Sequence, residues 1–188
     1  MQQKIAIRKK ALTTRKKNYF EISAHFFNPL LTILKKQRKN KTTLLSLYYP
    51  SNCEANVLNL FQLIKKIKTK TLLPITKPNN QMNFVEWQYL DPLKVNNFGM
   101  LEPSLEKKSL IPDVMLVPLL AFDSQNTRLG YGKGFYDKFL NKFLKKRKKI
   151  TTIGVAFSFQ KYNKLPISNL DIKLDYVLTE KGLNKWKY

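Results

Sequence analysis

Cysteine is almost absent from this chain. Cys53 is the only one in 188 residues, so no intrachain disulfide can form, and a reducing cytoplasm is the expected setting. Histidine is equally scarce. His25 stands alone in an early helical region, away from other candidate chemistry, and reads as structural or exposed rather than catalytic. No apolar run reaches the roughly 18 residues that a membrane-spanning helix needs. The N-terminal stretch MQQKIAIRKKALTTRKKNYF lacks an apolar block followed by a small-residue cleavage site, which argues against a secretory signal. It is Lys-rich rather than Arg-rich, unlike a mitochondrial presequence. No internal repeat or low-complexity linker interrupts the chain. With 43% hydrophobic and 12% aromatic residues it can build a real core, and its length predicts one domain spanning residues 1–188.

Acidic residues are few: 12 against 35 Lys and Arg, for a net charge of +23. A non-enzymatic basic nucleic-acid-binding protein is therefore the alternative reading. Arginine scarcity speaks against it. Thirty of the basic residues are lysine and five are arginine, whereas specific phosphate and base recognition favours the planar arginine fork. The lysines are also spread along the chain, with clusters at 8–17, 35–41, 65–70 and 145–149, as expected of solvated faces and of the drift of an AT-rich genome. No specific nucleic-acid partner and no membrane association are expected.

The coarse pattern alternates strands and helices. The first forty residues read as helical, with Lys4, Arg8, Ala11 and Arg15 on one stripe and a restart at Asn28-Pro29. Thr43 to Tyr49 is rich in strand formers. Val57, Leu60, Phe61, Ile64 and Ile67 repeat at helical spacing. Thr71 to Ile75 and Met82 to Tyr89 read as strands, and Leu90 to Pro112 as a loop. Val114 to Val117 is a buried-type strand. Tyr136, Phe139, Leu140, Phe143 and Leu144 form a helical stripe, with Lys138, Lys142, Lys145 and Lys146 on other faces. Ile153 to Phe157 and Tyr176 to Leu178 close the list of strands. The prediction is a three-layer α/β domain with a mostly parallel central sheet flanked by helices. In such sheets ligands sit at the carboxyl ends of strands, and the loop after Val117 is such a place.

That loop carries the chemistry. Gly130, Gly132 and Gly134 precede the helix, so backbone N–H groups and the helix N-terminus can approach an anion closely. Arg128 and Lys133 add full charges. Asp137 falls in the first helical turn, where it can hold Mg²⁺ or simply favour the helix dipole. The spacing matches neither the dinucleotide fingerprint nor the P-loop, so a tight strand–helix turn is the competing explanation.

The wording goes further than the spacing. LVPLLAFDSQNTRLGYGKGFYDKFL closely resembles the signature of the 5-formyltetrahydrofolate cyclo-ligase family. Lys4 and Arg8 resemble the KxxxR of that family's N-terminal helix, and Glu54 its acidic position after the first strand. Leu73-Pro74, Met82, Phe98-Gly99, Glu102-Pro103 and Asp171 resemble later landmarks, in order over nearly the full length. Three positions depart from the pattern. Asn126 replaces a usual Gly, and asparagine tolerates a left-handed backbone. Phe135 replaces a usual Tyr. Ala55-Asn56 follow Glu54 in place of Val-Asp-Thr.

The resemblance implies ATP- and Mg²⁺-dependent conversion of 5-formyltetrahydrofolate to 5,10-methenyltetrahydrofolate. It gives catalytic roles to Arg128, Lys133 and Tyr136. It implies that ATP meets Lys4, Arg8 and the run Arg128, Leu129, Gly130, Tyr131, Gly132, Lys133, Gly134, Phe135 and Tyr136. The folate would meet Tyr49, Glu54, Met82, Phe98, Tyr131 and Phe135, and the metal Asp137 and Asp171. A monomer acting on folates, including polyglutamylated ones, is expected. Trp87 reads as core. A sugar-phosphate or acyl-transfer enzyme on a related fold is a further alternative, but it lacks an evident acid–base set beyond Glu54 and the aspartates.

Overall fold

The computed structural model describes residues 2–37, 41–104, 107–144 and 149–185. Lys145 and Lys146, and parts of the 35–41 and 145–149 clusters, lie outside them.

The chain opens with α1 (Gln2–Asn18), which has no Gly or Pro and ends on Arg15, Lys16 and Lys17. Cations there favour the negative end of the helix dipole. After a short 3₁₀ turn comes α2 (Asn28–Gln37), with Pro29 in its first turn, where a missing N–H costs nothing. Strand β1 (Thr43–Ser46) follows, then a 3₁₀ turn over Val57–Leu60 that runs directly into the single α-helical turn α3 (Phe61–Ile64), so helical backbone covers most of the stretch that the spacing predicts. Next are β2 (Thr69–Lys77) and β3 (Gln81–Glu86). The predicted loop from Leu90 to Pro112 instead holds a small hairpin, β4 (Leu93–Val95) and β5 (Leu101–Pro103). Its strands, three residues each, are too short to show a period in the sequence. Then come β6 (Val114–Pro118), the two-residue strands β7 (Ala121–Phe122) and β8 (Arg128–Leu129), and α4 (Phe135–Leu144). The chain continues through β9 (Thr151–Val155), β10 (Tyr176–Thr179) and β11 (Gly182–Lys185).

Seven strands form the main sheet in the order β11-β10-β9-β6-β1-β2-β3. The inner five run parallel, and β3 and β11 close the edges antiparallel. The expected mostly parallel sheet is therefore observed. Successive side chains of a strand point to opposite faces, and here both faces are buried. Leu45, Leu73, Val114, Leu116, Ile153 and Leu178 pack on one side with Leu30 and Leu34 of α2. Leu72, Met115, Val117 and Val177 pack on the other with Phe139 and Leu140 of α4. Two buried faces explain why the central strands read as continuous apolar runs. Trp87, 2% exposed, belongs to the first of these cores, as expected.

Gly154 of β9 leaves no room for a side chain. A Cβ there would stand 2.6 Å from Leu174 Cδ1 and 2.7 Å from Leu119 Cδ2. Gly154→Ala is expected to destabilise the fold by about 1–3 kcal/mol through overpacking. A thermal melt checks this, and an unchanged melting temperature would contradict it.

The topology also creates a crevice. From β1 the chain passes to β2 on one side, and from β6 to β9 on the other, although β1 and β6 are neighbours. The loops leaving their carboxyl ends therefore diverge and leave a gap, the usual place for a ligand in an open α/β sheet.

Candidate active site

A cavity of about 400 Å³ fills this gap. Its walls are α1, the loop after β1, the segment from Arg128 to Asp137, and the β4–β5 hairpin. Every residue assigned above to ATP, folate or metal lines it. Elements separated by more than a hundred residues meet there.

One wall is cationic. Arg8 Nε donates to the Gly130 carbonyl at 2.9 Å and so ties α1 to the glycine loop. Gly132 lies at φ +100, and a Cβ on it would stand 3.1 Å from Arg8 Cζ. A side chain there would be strained by its backbone and would push on the guanidinium. Gly134, at φ +72, offers its carbonyl to the Lys138 N–H at 2.9 Å and begins α4. Lys4 Nζ pairs with Asp171 at 2.5 Å. Lys133 is exposed at the loop tip, its ammonium 5.6 Å from the centre of the Phe98 ring.

Arg128 differs from the others. It is 8% exposed, donates to the Ile172 carbonyl, and pairs with Asp137 Oδ1 at 2.6 Å. Asp137 Oδ1 also accepts the Ile172 N–H at 3.0 Å. The guanidinium that resembles a phosphate grip therefore staples the helix start to the 171–172 loop in this state. Leu129 lines the cavity but is itself buried, packed with Ala121 and Leu165. Asp123, conspicuous in the motif, is structural: its carboxylate accepts the N–H groups of Gln125, Thr127 and Leu165.

The opposite wall is acidic and aromatic. Asn52 and Cys53 both take left-handed backbone, φ +48 and +59, and swing Glu54 inward. For a residue such as cysteine this conformation is uncommon and concentrates at functional sites. Glu54 is 6% exposed. Its Oε2 accepts the Ser51 N–H at 2.9 Å, and its Oε1 accepts the Tyr131 hydroxyl at 2.6 Å. Burial pushes the Glu54 carboxyl above its ordinary range, although the Tyr131 and Ser51 hydrogen bonds and the Arg15 charge oppose the shift. Burial, reinforced by the Glu54 charge, also raises the hydroxyls of Tyr131 and Tyr136, so both stay neutral donors. Phe98 meets Phe135 edge to face, ring centres 5.4 Å apart, while Met82 is buried and Tyr49 half-buried beside them.

Asp137 and Asp171 are brought together because Asp137 bonds the backbone of Ile172, next to Asp171. Asp137 Oδ1 is held by Arg128 and the Ile172 N–H, and Asp171 Oδ2 by Lys4 and the Ser168 N–H. The pair thus fits a hard cation that takes one or two carboxylates plus phosphate and water. Among the described residues no group of three or more His, Cys, Asp or Glu could hold a metal.

Two departures in the motif are accommodated. Asn126 takes φ +51, and its Nδ2 reaches the Leu174 carbonyl at 3.3 Å, a bond that glycine could not make. Phe135 retains its ring contact without the hydroxyl. His25 is exposed, as expected.

Sequence reasoning named two further residues, Glu102 as a landmark and Arg15 on the helical stripe, but gave neither a role here. Glu102, buried at 6%, accepts from Thr76 and Asn96 and pins the hairpin to β2. Arg15 is 1% exposed and bonds the Asn52 carbonyl, the Leu119 carbonyl and the Tyr131 hydroxyl. A signal for Arg15 was available. In a chain that uses lysine by default, an arginine marks a position that needs a planar fork. Arg8, Arg15 and Arg128 all make such bonds here, and the other two arginines, Arg38 and Arg147, lie outside the described residues.

Fold and site together define an α/β enzyme with a glycine loop facing a buried carboxylate across one cleft. The family model of the 5-formyltetrahydrofolate cyclo-ligases matches residues 1–180, and the chain belongs to that family. It is similar to the 5-formyltetrahydrofolate cyclo-ligase of Haemophilus influenzae, with 31% identity over 78% of each chain. The enzyme of the same name from Escherichia coli K12 is 30% identical over 71% of this chain and 75% of its own. Among solved structures, the 5,10-methenyltetrahydrofolate synthetase of Aquifex aeolicus superposes with a TM-score of 0.75. It shares 31% identity and covers 98% of this chain and 93% of its own. The synthetase of Mycoplasma pneumoniae gives a TM-score of 0.69 at 25% identity, over 93% and 97% of the two chains.

Proposed function

We propose that this chain converts 5-formyltetrahydrofolate to 5,10-methenyltetrahydrofolate, consuming ATP and releasing ADP and phosphate. The observation that carries this reading is the meeting of a cationic glycine-loop wall and a buried carboxylate wall in one cavity large enough for a small ligand. Family membership supports it.

The formyl oxygen attacks the γ-phosphate, the bond to ADP breaks, and a formyl phosphate-type intermediate results. N10 of the folate then attacks the activated carbon, phosphate leaves with the former formyl oxygen, and the N10 proton is lost. Phosphoryl transfer mostly needs positioning and charge neutralisation. Lys4, Arg8 and Lys133 supply cations, and the backbone from Leu129 to Phe135 supplies close N–H groups. Arg128 orders the loop and stands by the transferring group with Tyr136, which stays a neutral donor. Asp137 and Asp171 would hold Mg²⁺. Mg²⁺ bound there neutralises phosphate charge. Glu54, Tyr49, Met82, Phe98, Tyr131 and Phe135 receive the folate. We assign residues 1–188 to one catalytic domain acting as a cytoplasmic monomer, with the lysine-rich surface suited to polyglutamylated substrate.

The test is the growth of methenyltetrahydrofolate absorbance from 5-formyltetrahydrofolate with Mg·ATP. Turnover is expected, and its absence together with absent ATP binding would sink the reading. Lys133→Ala is expected to raise the KM for ATP about fivefold to tenfold, the value of one exposed charge-assisted contact. Unchanged kinetics would mean that the loop tip does not touch phosphate.

A further inference from the structure

We infer that Arg15 is a positioning residue that ties Glu54 and Tyr131 into one folate-receiving unit, separately from the ATP wall held by Arg8. The inference rests on the reaction proposed above.

Arg15 lies at the inner end of α1, seven residues beyond Arg8 on the same stripe. Its three nitrogens reach three different segments. Nε donates to the Asn52 carbonyl at 3.0 Å, Nη1 to the Leu119 carbonyl at 3.2 Å, and Nη2 to the Tyr131 hydroxyl at 2.5 Å. The guanidinium carbon also stands 5.6 Å from the centre of the Tyr131 ring.

Asn52 is where the left-handed turn begins that aims Glu54. Leu119 follows β6 directly. Tyr131 belongs to the glycine loop and donates onward to Glu54 Oε1 at 2.6 Å. A single planar fork therefore fixes the backbone behind Glu54 and the phenol in front of it. Because the hydroxyl accepts from Arg15, its proton must point to Glu54. The carboxyl group then keeps a defined orientation without direct contact with any cation among the described residues.

Tyr131 is 40% exposed and lines the cavity although its hydroxyl is engaged. It can thus form a wall for a flat ligand while its position is set from behind. Arg8 acts elsewhere on the same loop, through the Gly130 carbonyl. One helix consequently serves two half-sites through different residues. Lysine could not replace Arg15, since one ammonium on a flexible stem cannot meet three acceptors in a plane.

The test measures the KM for each substrate, and direct binding of 5-formyltetrahydrofolate without ATP, in wild type, Arg15→Met, Arg15→Lys, Tyr131→Phe and Arg15→Met/Tyr131→Phe. Arg15→Met and Tyr131→Phe are each expected to weaken folate binding by roughly tenfold to a hundredfold, the loss of a charge-assisted hydrogen bond. The KM for ATP should stay within about twofold, because Tyr131 serves the phosphates through its backbone N–H, and its hydroxyl bonds only Glu54 and Arg15 among the described residues. The double variant should be little worse than Arg15→Met alone, because both changes break one chain of contacts. Arg15→Lys should rescue only weakly. Equal effects on both substrates, no effect on folate, or multiplying losses in the double variant would overturn the inference. Should Arg15→Met fail to fold, Tyr131→Phe, which removes one hydroxyl, still decides it by its selectivity. Failure of the wild type to bind or turn over 5-formyltetrahydrofolate would instead overturn the proposed reaction.

Discussion

Arg8→Ala is expected to lower kcat/KM for ATP by roughly two to three orders of magnitude, with a much smaller effect on folate binding. Two losses combine. A cation leaves the phosphate wall, and a charge-assisted hydrogen bond is worth about 1.5–3 kcal/mol. The glycine loop also loses its tether, since Arg8 Nε no longer holds the Gly130 carbonyl at 2.9 Å. The space against Gly132, where a Cβ would stand 3.1 Å from the guanidinium carbon, then opens and lets the loop drift. Misplacement of about 1 Å is costly where catalysis depends on positioning. Isothermal titration with a non-hydrolysable ATP analogue separates binding from chemistry. An unaltered ATP affinity would remove Arg8 from the phosphate wall.

Glu54→Gln is expected to reduce kcat/KM for 5-formyltetrahydrofolate by roughly a hundredfold or more while the KM for ATP changes little. The amide can still accept from Tyr131, but its NH₂ then faces the Ser51 N–H, donor against donor. A charge-assisted acceptor is also lost, worth about 1.5–3 kcal/mol. The variant carries a pH signature as well. Burial holds the folded carboxyl above its ordinary value of 4.5, so the folded chain prefers the protonated form. That preference is fully present below 4.5 and is lost as pH rises through the raised folded value. Across that window the wild type should lose stability relative to Glu54→Gln, which does not titrate. Thermal melts of both proteins over a pH series measure the difference, and parallel curves would show that Glu54 is not held off its ordinary range.

Much of the site was legible before any coordinates because short motifs report local backbone needs. A loop that must turn at Gly132 and Gly134, and a helix that must start immediately after, restrict residue choice at adjacent positions. The central strands were equally visible. Burial on both faces selects apolar residues at every position, as in Val114 to Val117. The β4–β5 hairpin was not visible, because strands of three residues are too short to impose a period. Arg128 shows a different limit. Its residue type suggested a phosphate grip, yet whether a guanidinium faces a ligand or a neighbouring carboxylate depends on Asp137 and Ile172 lying within reach.

The chain order alone determined the central strands, the turn-forming character of the glycine loop and the set of residues available for chemistry, since these follow from local steric preference and residue chemistry. The tertiary structure decided which of them meet. Only the divergence of the chain at neighbouring β1 and β6 opens the cleft. Only the packing of α1 against it sets Lys4 on Asp171, Arg8 on Gly130 and Arg15 behind Tyr131. Contacts between residues more than a hundred positions apart leave no local pattern, because hydrogen bonds are selected by distance in space rather than by spacing along the chain.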